Sequence, residues 1–303
     1  MLKKIILAAA SVAAILAAAP AGAADTKEFR IGILGGENEA DRLRNFQCMV
    51  DKLPEALGVE KVSLFPAADY DGTIQGLLGG TLDYAELGAS GYAKTYLENP
   101  DAVEPILTTI QTDGSTGYYS VMVTRKDTGI ETLAGMKGKS LCFADPDSTS
   151  GFLVPSVTLP DAIGMPVEQF FSKTMFGGGH EQGVLTAMKG DCDAAVTWAS
   201  GVGEFKDGYT SGNLRKMVDK GILDMSDVRE LWKSPLIPNG PIVVRASLDP
   251  EVKAKFKAFM MKLPESDPAC FSAIQGGDYK GFVEVNKDFY KAIIAARKAK
   301  IGS

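Results

Sequence analysis

From Phe29 onward, short apolar runs of strand length alternate with stretches whose apolar residues recur every three or four positions. This alternation limits the fold more than any other property of the chain. Phe29-Arg30-Ile31-Gly32-Ile33-Leu34 reads as a strand closed by Gly35-Gly36, and residues 41–57 as a helix with Leu43, Phe46, Met49, Val50 and Leu53 on its apolar side. Residues 61–65 form the next strand, 71–78 a helix stopped by Gly79-Gly80, and 82–87 a strand before a helix opened by Ala89-Ser90-Gly91. A longer β-rich run, 117–125, leads to a second series: strand 141–144 and a helix, strand 173–176 and a helix ending near Lys189, then strand 193–198. An extended segment at 240–245, a helix begun by Asp249-Pro250 and an amphipathic helix from near Asn286 complete the chain. Two such series predict parallel sheets faced by helices, in two α/β lobes joined by two extended segments.

The amino terminus reads as a cleavable secretory signal over residues 1–23. Met1-Leu2-Lys3-Lys4 is basic, residues 5–19 are uncharged and apolar, and Ala21-Gly22-Ala23 offers small residues for cleavage. The apolar run falls short of the ~20 residues of a membrane span, and no Cys stands near the cleavage point to carry a lipid anchor. The expected product is soluble and exported. Its length, about 280 residues, exceeds the ~100–150 of a typical single domain, in keeping with two lobes.

The chain carries 32 basic and 38 acidic residues, and loss of Lys3 and Lys4 makes it more acidic still. An acidic chain without a basic cluster argues against nucleic acid as partner. Any anion site must act locally, through aimed donors, against the overall field. Cys48, Cys142, Cys192 and Cys270 lie in a chain bound for an oxidising compartment. Cys142 and Cys192 each sit in or beside a strand of the same region and could be neighbours, but the pairing stays open. With one His and no close Cys pair, no metal site is expected, and no cofactor motif appears.

The stretch richest in chemistry is Asp145-Pro146-Asp147-Ser148-Thr149-Ser150-Gly151. It joins a buried strand to a helix, so free backbone N–H groups, three hydroxyls and the positive end of a helix dipole meet at one spot. That is a seat for a small oxyanion. Capping alone is the competing reading, although one cap needs only one hydroxyl. In open α/β sheets ligands bind beyond the carboxyl ends of strands. Asp69-Tyr70 and His180, the latter after Gly177-Gly178-Gly179, stand at such ends, and Tyr118 stands at the first crossing between lobes. His180 can donate to a bound anion or merely cap its turn. Tyr70 and Tyr118 can donate or simply pack.

Residues 145–155 resemble the signature segment of the phosphonate-binding proteins of ABC transporters, the PhnD type. Asp113-Gly114-Ser115-Thr116-Gly117-Tyr118-Tyr119-Ser120-Val121, Gly179-His180-Glu181 and Trp232-Lys233-Ser234-Pro235-Leu236-Ile237-Pro238 also resemble family segments, in the family's order. The resemblance implies a type II periplasmic binding fold, with lobe I from 24–115 and 240–303, lobe II from 116–239 and hinge segments near 116–120 and 236–241. It implies two lobes that close over a phosphonate, phosphite or phosphate, with a membrane permease and an ATPase as partners; a monomer is the default expectation, with the oligomeric state left open. Carried over residue by residue, it assigns Ser148, Thr149, Ser150 and His180 to the phosphonyl oxygens from lobe II, and Tyr70 and Tyr118 to phenolic donors from lobe I and the hinge.

The sequence departs from that pattern where a binder of aminoalkylphosphonates would carry acids. Trp198-Ala199-Ser200-Gly201 and Asn239-Gly240 hold none, with Glu204 and Asp207 nearby. A smaller or uncharged ligand is therefore expected. Competing readings are a binder of sulfate or a sulfonate, a sensor subunit, and a hydrolase using Ser148 and His180, although no Gly-x-Ser-x-Gly elbow surrounds the triplet. Pro155 predicts a helix regular only from about that residue.

Overall fold

A computed structural model describes residues 27–301. The signal and its cleavage point lie outside the described residues. In chain order the elements are β1 (Glu28–Ile33), α1 (Glu39–Leu57), β2 (Lys61–Pro66), α2 (Tyr70–Leu78), β3 (Tyr84–Glu86), α3 (Ala89–Glu98), β4 (Val103–Gln111) and β5 (Gly117–Arg125). There follow β6 (Ser140–Phe143), α4 (Val154–Ile163), α5 (Val167–Phe170), β7 (Lys173–Phe176), α6 (His180–Lys189), β8 (Ala194–Ala199), α7 (Asn213–Asp219), β9 (Val228–Lys233) and β10 (Ile237–Pro238). The chain ends with β11 (Pro241–Arg245), α8 (Pro250–Ser266), α9 (Pro268–Gln275), β12 (Tyr279–Glu284) and α10 (Lys291–Ile301).

The strands form two sheets. Sheet one has the order β12-β4-β11-β3-β1-β2, and sheet two the order β10-β5-β8-β6-β7 with β9 also on β5. The alternating pattern predicts parallel sheets, and each is instead mixed. β1 pairs parallel with β2 and β3, and β6 with β7 and β8. β11 lies antiparallel between β3 and β4, β12 is antiparallel to β4, and β5 is antiparallel to β8, β9 and β10. The cause is the path of the chain, because β5 and β11 are the strands that enter a sheet directly from the other one and so run against their neighbours. The chain leaves sheet one between Gln111 and Gly117 and returns between Pro238 and Pro241.

Each sheet has its own core. Phe29, Ile31 and Ile33 of β1 pack with Met49 and Leu53 of α1 and Phe256 and Met260 of α8. In sheet two, alternation along β5 divides the strand, with Val121 and Val123 facing α6 and α7 while Met122 faces α4 and α5. One cluster joins the halves: Leu153 and Val154 pack with Leu87, Tyr92 and Tyr290. Disulfides link Cys48 of α1 to Cys270 of α9, and Cys142 of β6 to Cys192 just before β8, so each stays within one half.

Candidate functional site

β6 ends at Phe143, and Ser148 then caps a single wide turn of π type, Thr149–Leu153, that runs into α4. Ser148 Oγ accepts from Gly151 N at 3.0 Å. Pro155 sits in the first turn of α4, where its missing N–H costs no helix bond, so the helix is regular from there. A helix start leaves its first N–H groups without intrahelical acceptors, so those of Thr149 and Ser150 are free for an anion. Gly151 is required here, because a Cβ would lie 2.4 Å from Ala144 Cβ and 2.9 Å from His180 Cε1.

His180 opens α6 and is buried. Its Nε2 is 3.0 Å from Ser148 Oγ and its Nδ1 is 3.3 Å from Thr197 Oγ1. Burial pulls its pKa down to about 4, against the field of Glu37 and with that of Lys216, so the ring is neutral near pH 7. A Ser–His pair at this distance has the outline of a hydrolase dyad. Here a hydroxyl orients the ring where a dyad has a carboxylate, and burial has removed most of its basicity.

Tyr70 opens α2 behind the Asp69 cap, and its phenol lies beside Ser148. Tyr118, near the start of β5, brings its phenol beside Ser150 and Thr149 and its ring edge-on to Trp198. Burial raises both phenol pKa values, so both remain protonated donors. From sheet one, Ser90 N donates to Thr149 Oγ1 at 2.8 Å. All six residues singled out in the sequence thus line one cavity of about 230 Å³. That is below the ~300–1,000 Å³ of sites for drug-sized ligands.

Other lining residues were not anticipated. Glu37 follows β1, Glu86 ends β3, and Lys216 projects from α7; Gln275 and Tyr279 complete this part of the wall. Lys216 donates to Glu37 at 3.1 and 3.4 Å, across the two halves. Burial opposes ionisation of Glu37, but the Lys216 ammonium prevails and holds the carboxyl below its usual range. Burial raises the Glu86 pKa despite hydrogen bonds from Tyr84 and Gln275. Glu204 and Asp207 are not among the lining residues, whereas Trp198 and Asn239 are. The acids that do line the cavity, Glu37 and Glu86, come from the sheet-one side. The strand-end rule points to both Glu37 and Glu86; Lys216 carries no such signal.

The halves touch at several places around the cavity. Gly179 faces Gly36 so closely that a Cβ on Gly179 would lie 2.1 Å from Gly36 O. Lys220 pairs with Asp41 at 3.0 Å, and Lys94 and Arg297 both reach Asp147.

Residues 31–290 match the family model described as "ABC transporter, phosphonate, periplasmic substrate-binding protein". The chain is 31% identical over 254 residues to the phosphonates-binding periplasmic protein of Escherichia coli, covering 79% of this chain and 68% of that one. It is 30% identical over 234 residues to the phosphate-import protein PhnD of Mycolicibacterium smegmatis, covering 75% and 69%. Among solved structures, a binding protein component of an ABC phosphonate transporter from Pseudomonas aeruginosa superposes with a TM-score of 0.76 at 24% identity, covering 91% of this chain and 87% of that one. PhnD1 from Prochlorococcus marinus, in complex with methylphosphonate, gives 0.73 at 19% identity, covering 91% and 99%. These likenesses identify the two-lobe type II periplasmic binding fold. The chain belongs to the periplasmic substrate-binding proteins of ABC phosphonate transporters, so it is an extracytoplasmic transport component with a small-molecule ligand and a membrane permease and ATPase as partners, not an enzyme.

Proposed function

We propose that the cavity captures one small phosphorus oxyanion, a phosphonate, phosphite or phosphate, for delivery to the permease. The observation that carries this reading is the convergence of neutral donors on one wall: the hydroxyls of Ser148, Thr149 and Ser150, the phenols of Tyr70 and Tyr118, and neutral His180. A tetrahedral anion presents acceptors in several directions, and hydrogen bonds to an ionised acceptor are the strong ones. With Thr197 as donor to Nδ1, His180 carries its proton on Nε2 and offers it to the anion. Its dehydrated ring and the helix start bind charge without adding a cation.

Capture joins the halves. Lobe I is 24–115 with 240–303, lobe II is 116–239, and the hinge segments are 116–120 and 236–241. This division is supported by the crossings at 111–117 and 238–241 and by the pairing of Tyr118 with Ile237. The ligand favours the closed form through contacts present only there. The working form is a monomer, cleaved near Ala23.

The test is titration calorimetry on residues 24–303, stripped of carried ligand, against phosphate, phosphite, methylphosphonate and sulfate. One-to-one binding of a phosphorus oxyanion is expected, weakened at least a hundredfold in the double variant Ser148→Ala, Thr149→Ala. Silence across the panel, preference for sulfate, or undiminished binding by that variant would overturn the reading.

A further inference from the structure

Arg42 lines the same cavity and has no carboxylate partner among the described residues. It stands in the first turn of α1 and is only 8% exposed. Its guanidinium turns back under the ends of two strands. Nη1 donates to Ile33 O at 3.2 Å, Leu34 O at 2.6 Å and Ala67 O at 3.3 Å, and Nη2 to Ala67 O at 3.3 Å. Nε is buried without a hydrogen-bond partner.

Three features make this a costly place for a cation. It is withdrawn from water, it bonds to no acid, and the first turn of a helix is the positive end of the helix dipole. Burial lowers the Arg42 pKa, against the fields of Glu37, Glu39 and the Tyr70 phenol, yet an arginine stays charged. Glu37 is already bonded to Lys216. The three carbonyls offset part of the cost as dipoles, without supplying a negative charge.

Those carbonyls mark where the charge sits. They belong to the carboxyl ends of β1 and β2, the side of an open α/β sheet on which ligands bind. Leu34 leads into Gly36, where a Cβ would lie 3.3 Å from Tyr70 Cε2, and Ala67 leads into Tyr70 itself. The guanidinium therefore shares a wall with Tyr70, whose phenol lies beside Ser148.

We propose that Arg42 is the fixed counter-charge of the captured anion, acting through space from the sheet-one wall while the hydroxyl wall makes the contacts. The inference rests on the oxyanion reading above and adds one full charge behind its neutral donors. Attraction between full charges reaches several ångströms through protein, so Arg42 needs no direct contact with the ligand. The free cavity lacks a partner for this cation, and capture supplies it.

The test is calorimetry with methylphosphonate and phosphite on the wild type, Arg42→Gln and Arg42→Lys, with the ligand-free melting temperature of each. Both variants give up the planar fork and keep a donor for the carbonyls; only lysine keeps the charge. Arg42→Gln is expected to weaken both ligands at least twentyfold, and Arg42→Lys no more than about fivefold. Equal losses in the two variants would reduce Arg42 to a clamp on the strand ends and overturn the inference, as would undiminished binding by Arg42→Gln. Silence of the wild type sinks the oxyanion reading itself. If Arg42→Gln does not melt cooperatively, Arg42→Lys decides alone, because a loss beyond fivefold there would show that binding needs the fork and not the charge.

Discussion

The two halves of the molecule contribute opposite chemistry to one cavity. Sheet two supplies neutral groups on a helix start and a strand end: three hydroxyls, a dehydrated imidazole and free N–H groups. Sheet one supplies Tyr70 and two carboxylates, Glu37 and Glu86, with Gln275 and Tyr279 beside them. One cation, Lys216, crosses from the sheet-two side to neutralise Glu37. The difference shows how an acidic chain can hold an anion. On the oxyanion reading, aimed dipoles would do the holding on one side, while the Lys216–Glu37 pair ties the halves together.

Three perturbations probe that division, the strongest first. Gly179→Ala places a Cβ 2.1 Å from Gly36 O at a φ of +147°, which side chains rarely adopt. It is expected to hold the halves apart and weaken every ligand at least a hundredfold, while small-angle scattering shows no compaction on adding ligand. Compaction as in the wild type would show that the halves do not need this contact. Next, Lys216→Met leaves Glu37 partly buried and unpaired. Because both groups of the pair keep some exposure, the expected loss is about tenfold, shared by every phosphorus oxyanion that binds. A loss confined to one ligand would show that Lys216 does more than tie the halves.

The smallest effect concerns His180. Its pKa of about 4 in the folded chain lies below the 6.5 of an exposed ring. The unfolded chain therefore binds more protons between these values, and His180 costs stability as pH falls from 6.5 toward 4. Between pH 6.5 and 5.5 the cost is about 1 kcal/mol. Carboxylates titrate over the lower part of the same range, so the measurement is the difference in melting temperature between wild type and His180→Asn across pH 5–7. A difference that does not change with pH would show that the ring is not held neutral by burial.

Much of the fold was legible in the sequence because local periodicity decides it. β5 and β7 occupy the residues the pattern marks, and β1, α1, β2 and β6 differ only by a residue or two at their ends. The direction of pairing was not legible, because antiparallel insertion of β11 between β3 and β4 depends on strands far apart in sequence. β4 and β12 were missed as well, and so was α7, a two-turn helix after Gly212 whose apolar side is only Leu214, Met217 and Val218. At the site, the hydroxyl triplet announced itself by exceeding what a cap needs. Glu37 and Glu86 look like ordinary surface acids until the sheet brings their strand ends to one cavity.

The order of strands in sheet one also sets a timetable for biogenesis. β3 and β4 are separated by β11, so the slot between them stays empty until residue 241 has been supplied, after the whole of sheet two. Chains generally fold domain by domain from the amino end. Here the inner half, continuous from 117 to 238, is complete in sequence before the outer half can fill its centre. A chain truncated before β11 would keep every hydroxyl of the anion seat and still lack the strand that unites sheet one.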